Sequence, residues 1–192
     1  MISVAKLRNV APPQGIILYN GPSKIDGKKI VVIATGFKTK SDNPKTGQVI
    51  QTWILPASQS PITSWTTGKD HSVCGDCKHS SPKNGGWNTC YVNVYQAPLN
   101  VWYAWKKGRY AIPTKMNMHF FRDKIVRIGS YGDPSSCPTN VWEIIASYAK
   151  GVVGYTHQHS KAFTDKNLKH YCMASCDTKS EALRAQAKGW RT

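Results

Sequence analysis

Acidic residues are scarce in this sequence. Only 10 Asp and Glu stand against 26 Lys and Arg, which leaves a formal net charge of +16. So large an excess repels itself in a compact fold and therefore needs an explanation outside folding. A polyanionic partner is the ordinary explanation, because each neutralised phosphate releases counterions and strengthens binding. The composition predicts a nucleic-acid partner, and the alternative is that the basic residues only keep the chain soluble.

Long apolar runs are also missing. No stretch approaches the roughly 20 apolar residues that a transmembrane helix needs, and residues 1–15 contain neither a sustained apolar segment nor a cleavage-site pattern. No long amphipathic helix with a lysine-rich face suggests binding to a membrane surface. We therefore expect a cytoplasmic protein with no membrane partner. No nucleotide-cofactor motif is present either.

Cysteines are few, and in a reducing compartment all six read as metal ligands or buried thiols rather than disulfides. Cys74 and Cys77 form a CxxC pair, Gly75 eases the turn between them, and Cys90 follows after twelve intervening residues. Such a pair directs two thiolates at one tetrahedral ion. We predict a structural zinc; an iron–sulfur cluster or free thiols are the alternatives, and the CxxxCxxC spacing is absent. The predicted ligands are Cys74, Cys77, Cys90 and His71, with His79, Cys137, Cys172 and Cys176 left open as replacements for the fourth.

The first half of the chain predicts β structure followed by a cysteine-rich loop. Two β-rich runs, 15–21 and 28–37, flank Asp26-Gly27, which is a hairpin signal. A third strand is predicted over 48–55. A short helix is predicted over 97–106, with Leu99, Trp102 and Trp105 on one face that serves the core more readily than base stacking.

The last 70 residues predict alternating strands and helices. Strands are expected over 124–132, 152–158 and 170–175, and a last one at Trp190. One helix should open at Pro138 and Thr139 and end at Gly151, with Val141, Trp142, Ile144, Ile145, Tyr148 and Ala149 as its apolar stripe. Thr178 and Glu181 form a capping box that opens a second helix, which Gly189 closes.

This order predicts an α/β fold of parallel βα units. An eight-unit barrel needs about 250 residues, so 192 residues predict an incomplete or reduced TIM-like barrel, with an open α/β sheet as the alternative. The predicted segments are a β-hairpin region (1–56), a cysteine-rich zinc-binding loop with a short helix (57–110) and the parallel βα region (111–192), together forming one compact domain.

Polar side chains follow the predicted parallel strands, where ligands of both architectures bind. A carboxylate, imidazoles and hydroxyls at one rim suit acid–base or nucleophilic chemistry. The predicted catalytic residues are Asp133, His157, Gln158 and His159. The predicted substrate-binding residues are Ser130, Tyr131, Thr156, Ser175 and Asp177. Asp133 could equally shape the turn before Pro134, and Asp177 the start of a helix.

Basic residues in two loops are candidate phosphate contacts. The predicted nucleic-acid-binding residues are Lys38, Lys40, Lys45, Lys106, Lys107 and Arg109. Solvated turns are the alternative for the first three.

Four segments resemble a group of uncharacterised bacteriophage proteins that are loosely described as replication-associated. They are CGDCKHSSPKNGGWNTCYVN (74–93), RIGSYGDPSSCPTNVW (127–142), GYTHQ (154–158) and CMASCDTKSEALRAQAKGWRT (172–192), and they cover about half of the chain. The resemblance implies a phage-encoded protein that works in the host cytoplasm. Its expected partner is a nucleic acid, with DNA favoured and RNA left open.

The segment from Met173 to Thr192 is also similar to a late strand–helix–strand unit of tRNA-guanine transglycosylases and their phage DNA-modifying relatives. That family consists of zinc-containing (β/α) barrels that exchange guanine for a 7-deazaguanine base, using a strand-end aspartate. The resemblance makes Asp133 the best candidate for such a carboxylate, although the family's own nucleophile and zinc motif would fall beyond residue 192.

Three functions remain open. The first is a DNA base-modifying enzyme of the transglycosylase type, which would need a flipped base and a pocket with Asp133, His157 and Gln158. The second is a rolling-circle-type replication or nicking endonuclease, since His157-Gln158-His159 resembles its metal motif and Tyr148 or Tyr171 could be nucleophiles. The third is a non-catalytic, zinc-stabilised protein that binds DNA or RNA.

Overall fold

A six-stranded sheet forms the centre of the computed structural model, which describes residues 11–38 and 49–192. The strand order is linear from β1 to β6, with β1, β2 and β3 antiparallel and β3 to β6 parallel. The strands are β1 (Gly15–Pro22), β2 (Lys29–Thr35), β3 (Ile50–Pro56), β4 (Ile125–Tyr131), β5 (Gly151–Thr156) and β6 (Met173–Ala174). The predicted mixed α/β fold with mostly parallel pairing is therefore confirmed.

Strands β2 and β3 lie at the middle of the core. Residues 30–34 are all buried, as are residues 52–56, and such continuous apolar runs are typical of strands that are covered on both faces. The hairpin between β1 and β2 turns at Gly27, whose φ is +74°. Asp26 fixes this turn, because its carboxylate accepts a hydrogen bond from the backbone N–H of Lys28 (3.1 Å) and another from the Ser72 hydroxyl (2.8 Å).

Six helices connect and cover the described strands. They are α1 (Pro61–Thr66), α2 (His71–Cys74), α3 (Ala97–Lys106), α4 (Lys115–Met118), α5 (Asn140–Tyr148) and α6 (Lys179–Ala187), with 3₁₀ turns at Pro82–Asn84, His119–Phe121, Pro134–Ser136 and Lys166–His170. Helix α3 has the predicted bounds. Helix α6 begins at the predicted Thr178, whose hydroxyl accepts from the N–H of Glu181 (3.1 Å). The Glu181 carboxylate reaches back one residue further than a capping box requires, to the N–H of Asp177 (2.9 Å).

Several local predictions are wrong. Gly151 begins β5 instead of ending α5, which stops at Tyr148. Residues 190–192 do not form a strand; the carbonyl of Arg191 nevertheless accepts a hydrogen bond from the N–H of Ala174 (2.7 Å). The strand predicted over 170–175 shortens to the two residues of β6, because the 3₁₀ turn at Lys166–His170 uses the preceding backbone.

The buried helix faces also differ in detail from the prediction. In α3 the buried residues are Pro98, Val101 and Ala104, while the tryptophans flank them half-buried. In α5, Ile144 and Tyr148 of the predicted stripe are exposed. A helix of this length covers the sheet with one narrow face, so the edges of a broad apolar stripe remain outside.

One hydrophobic cluster includes buried side chains from all three predicted segments, among them Ile16, Val73 and Trp142. The sheet is not seen to close among the described residues, and the incomplete barrel stays a prediction. Within the same residues no helix is both long and apolar enough to cross a membrane.

Candidate functional site

The candidate site lies where the parallel strands β4, β5 and β6 end. Asp133, His157 and Ser175 each follow the end of one of these strands within two residues. The segment that begins at α2 is attached to the same edge by two contacts: the N–H of Asp133 donates to the carbonyl of Val73 (2.6 Å), and the Gln158 amide donates to the carbonyl of Cys74 (3.1 Å). The cysteine-rich loop therefore adjoins the strand ends, where ligands of parallel α/β sheets bind.

Asp133 is buried, and both oxygens of its carboxylate accept hydrogen bonds. One oxygen accepts from the Ser135 N–H (3.0 Å), the Ser135 hydroxyl (2.8 Å) and the Thr156 hydroxyl (2.7 Å), and the other accepts from the N–H of His157 (2.8 Å). These donors come from the ends of both β4 and β5. The arrangement favours a role in joining the two strand ends, because donors from both strands hold the carboxylate in place.

His79, His157 and Asp177 form a cluster, which we call the histidine cluster. Their ligand atoms all lie within 4.8 Å of one another, so the three side chains could hold a metal ion. Nε2 of His79 is 3.1 Å from a carboxylate oxygen of Asp177, and the rings of His79 and His157 are 5.3 Å apart between centroids. Nδ1 of His79 lies 2.6 Å from the hydroxyl of Thr89, which fixes the orientation of the ring.

The electrostatic surroundings shift the pKa values of two members of the cluster, His157 and Asp177, towards the forms that bind metals. Burial lowers the pKa of His157, and nearby Asp133 opposes that shift only in part. Desolvation raises the pKa of Asp177, but hydrogen bonds from His79 and Lys78 outweigh it and leave the pKa below its usual value. A neutral imidazole and an ionised carboxylate are the forms that bind metals.

A cavity of about 300 Å³ opens beside the histidine cluster, and we call it the strand-end cavity. Its lining includes Cys74, Cys77, His79, Cys90, Tyr91, Ser130, Tyr131, Asp133, Tyr155, His157 and Ser175. The hydroxyls of Ser130 and Tyr131 are buried and have no hydrogen-bond partner among the described residues. Burial also raises the pKa of Tyr131 well above its usual value, so the phenol stays a hydrogen-bond donor at neutral pH.

The three cysteines predicted to bind zinc all line this cavity. Burial raises the pKa of the Cys77 thiol to about 11 and raises that of Cys74 well above its usual value, so that without a metal both stay protonated at neutral pH. His71 lies elsewhere, 3.6 Å from the Asp76 carboxylate. Among the described residues, the histidine cluster is the set of three or more metal-ligating side chains that comes together within 4.8 Å. A zinc site at the cysteines and His71 stays a prediction.

A second cavity, of about 270 Å³, lies on the other side of His157 and Ser175, which line both. We call it the basic cavity, because Lys78, Lys161, Arg184 and Lys188 line it. Three carboxylates line it as well: Asp76, Asp177 and Glu181. Lys78 pairs with the last two at 3.1 Å each, and Lys161 pairs with Asp76 at 2.6 Å. The histidine cluster thus stands between the strand-end cavity and the basic cavity.

The remaining predicted site residues occupy other places. Gln158 is fully buried, and Thr156 serves Asp133, so neither faces a ligand directly. His159 lines the basic cavity together with His157 and contacts Cys176 (Nε2 to Sγ 3.7 Å) and the Trp190 ring (6.1 Å). His157 joins His79 and Asp177 in the group of three that could hold a metal, and His159 is not part of that group.

The described residues among the predicted phosphate contacts do not line the cavities at the strand ends. Lys107 and Arg109 line a separate cavity with Thr35 and Gln51, near the start of β3. Lys106 lies over the rings of Trp102 and Trp105, at 5.1 and 4.7 Å. Lys38 is exposed after β2, and the predictions for Lys40 and Lys45 fall outside the described residues.

Sequence reasoning missed several residues of this site. The sequence indicated His79 only as a fourth zinc ligand and Glu181 only as a capping residue, and it did not indicate Lys78, Thr89, Tyr91 or Tyr155. The available signal was the Lys78-His79 dipeptide directly after the CxxC pair. The partner of His79 is 98 positions away, at Asp177, and no local pattern connects two such positions.

Comparison with known proteins returned no match to any family model, curated protein or solved structure. The function must therefore be argued from the geometry.

Proposed function

We propose that this protein is a metal-dependent enzyme that cleaves phosphodiester bonds in nucleic acid, most simply a nicking endonuclease. The observation that carries the proposal is the position of the histidine cluster between a cavity lined by basic residues and one lined by aromatic and small polar residues. A phosphate fits the first surface and a nucleobase the second. A metal held between them would face the backbone of a bound strand.

The donor set suits a divalent cation with open coordination positions. Two imidazoles and one carboxylate are ligands for zinc, and the carboxylate makes Mn²⁺ a second choice. Three protein ligands leave room for a water molecule and a substrate oxygen. When bound, such an ion polarises a phosphoryl oxygen and lowers the pKa of its water.

The chain's own residues would hold the substrate. Arg184 and Lys188 of the basic cavity, which form no ion pair with a described residue, would neutralise phosphate charge. Preorganised cations of this kind stabilise the charge that grows in the transition state. Thr89 holds the His79 ring, and Lys78 holds the Asp177 carboxylate. Each contact fixes the orientation of a side chain, His79 or Asp177, that would bind the metal.

A second candidate function is base modification, including base exchange of the transglycosylase type on phage DNA. The strand-end cavity favours this function, since a volume of about 300 Å³ accommodates a flipped purine. The unpartnered hydroxyls of Ser130 and Tyr131 could form hydrogen bonds with the edge of that base. The four hydrogen bonds to Asp133 count against that residue as the nucleophile. A non-catalytic role with a structural zinc on Cys74, Cys77 and Cys90 is the third reading.

The test is cleavage of supercoiled plasmid in the presence of Mn²⁺, Zn²⁺ or Mg²⁺. We expect conversion to the open circle, and we expect His79→Ala and His157→Ala each to lower its rate by more than about 100-fold, since even partners behind the ligands are worth 10- to 100-fold. His170→Ala is the matched control, because His170 is an exposed histidine outside both cavities.

Three results separate the candidates. Nicking that survives both cluster substitutions contradicts the proposal. Intact plasmid together with modified nucleosides in DNA from expressing cells supports base modification instead. Intact plasmid, unmodified DNA and tight oligonucleotide binding would support the non-catalytic reading.

A further inference from the structure

A third cavity, of about 450 Å³, lies beside the basic cavity. We call it the lysine cavity, because Lys161, Lys166, Lys169 and Lys188 line it together with Ser160 and the largely buried Trp190. No carboxylate is among its described lining residues. This distinguishes it from the basic cavity, where three carboxylates face the cations.

Three of these lysines lack a compensating charge. Lys161 pairs with Asp76 (2.6 Å), whereas Lys166, Lys169 and Lys188 form no ion pair with any described residue. The ammonium group of Lys169 lies near Gly189, 3.3 Å from the position that an added Cβ would take. Uncompensated like charges gathered around one cavity destabilise the fold through repulsion, and an anion that occupies the cavity removes that cost.

The lysine cavity is continuous with the candidate reactive centre. His159, Ser160, Lys161 and Lys188 line both it and the basic cavity, which in turn contains His157 and Asp177. The cations therefore form a track that leads away from the histidine cluster. A track of this kind matches the repeated phosphates of a polynucleotide better than it matches a single small anion.

We propose that the lysine cavity binds the phosphate backbone of a nucleic-acid strand next to the reactive centre, without a metal and without base recognition. The inference rests on the proposed nucleic-acid partner and not on the cleavage chemistry. It assigns the phosphate contacts to residues 161–188, and not to the loops around Lys40 and Lys107 that the sequence indicated.

The test compares two variants that each lose three positive charges. The first is Lys166→Ala, Lys169→Ala and Lys188→Ala. The second, the control, is Arg122→Ala, Lys124→Ala and Lys150→Ala; these residues are exposed and lie near the amino ends of β4 and β5, at the opposite edge of the sheet. Affinity for single- and double-stranded oligonucleotides is measured over a range of salt concentrations in EDTA, after thermal melting has shown that both variants are folded.

We expect the lysine-cavity variant to reduce the slope of log affinity against log salt by about 2, because each phosphate contact contributes about 0.7 to 0.9. Its affinity should fall at least about 10-fold more than that of the control. Equal losses in the two variants would overturn the proposal, as would unchanged binding in the first. An effect confined to oligonucleotides with a 5′-phosphate, or full competition by inorganic phosphate, would show a site for a terminal or free phosphate and would also overturn it.

Because binding is measured in EDTA, the outcome is independent of catalysis. A lysine-cavity effect on a protein that nicks no plasmid would leave this inference standing and remove the proposed reaction.

Discussion

A single carboxylate, that of Asp133, joins the ends of β4 and β5. It accepts hydrogen bonds from Ser135, which follows β4, and from Thr156 and His157 at the end of β5. Hydrogen bonds to a charged buried group are each worth about 1.5 to 3 kcal/mol, and a donor left without a partner costs a similar amount. The connection between these strand ends therefore depends on the negative charge of this one residue.

We predict that Asp133→Asn lowers the free energy of unfolding by about 2 to 3 kcal/mol. The NH₂ group that replaces one carboxylate oxygen is itself a donor, and it would face the N–H and O–H groups that donate to Asp133. Chemical denaturation measures the change. Asp123→Asn is the control: Asp123 is exposed, and its φ of +61° suits asparagine equally well. A stable Asp133→Asn protein that has lost all activity would instead identify Asp133 as a catalytic residue.

The sequence could place Asp133 at a strand end but could not give its role. A residue before proline that follows a strand is compatible with a turn, a binding site or catalysis. Its decisive partner, Thr156, is 23 positions away, and only the parallel pairing of β4 with β5 brings the two together. The same reason explains why His157 and Asp177 were predicted as site residues while their contact with His79 was not.

At the scale of elements, the short helix α2 is fitted closely to the end of β5. Gly75 follows the helix with φ of +57°, and an added Cβ would lie 2.7 Å from the buried amide of Gln158. Gln158 in turn donates to the carbonyl of Cys74. The CxxC segment can approach the strand ends this closely because residue 75 has no side chain.

We predict that Gly75→Ala destabilises the fold by about 1 to 3 kcal/mol more than Gly27→Ala does. Both glycines have positive φ, so both substitutions strain the backbone. The strain is larger at Gly75, whose ψ of −141° lies outside the left-handed helical region. Gly27 has nothing within 4 Å of its added Cβ, whereas at Gly75 the neighbouring side chain must move. Thermal or urea unfolding of the two variants gives the difference directly, and equal losses would contradict the close fit.

Elements with strong local signals were predicted well. Helix α3, the Thr178 start of α6, and strands β4 and β5 follow from periodicity and capping residues, which act within a few positions. The errors lie where tertiary contacts decide. Gly151 extends β5 because its neighbour Lys150 donates a backbone hydrogen bond to the carbonyl of Lys124 (2.9 Å). Residues 190–192 make only one such bond to β6.

At the scale of the whole molecule, the charge excess is the most general feature, and its distribution is uneven. The composition predicts the excess of positive charge, but it does not predict where the unpaired cations lie. Their place, beside the ends of the parallel strands, follows from the fold: the segment between β5 and β6 and the end of α6 lie against each other. Lys166, Lys169 and Lys188 are therefore close in space although none forms a motif in the sequence.

A net charge of +16 also predicts how stability responds to salt. Self-repulsion lowers the stability of the compact state, and its range shrinks from about 30 Å at 0.01 M salt to about 8 Å at 0.15 M. We therefore expect the free energy of unfolding at pH 7 to rise by on the order of 1 kcal/mol over that interval. A short oligonucleotide should produce at least the same gain at 0.01 M, because a ligand that binds only the folded state stabilises it by mass action. Urea unfolding at the two salt concentrations measures both effects.

A variant without Lys166, Lys169 and Lys188 should be stabilised less by salt, and it should lose most of the stability that the oligonucleotide adds. If the variant keeps all of that added stability, the nucleic acid binds elsewhere on the protein.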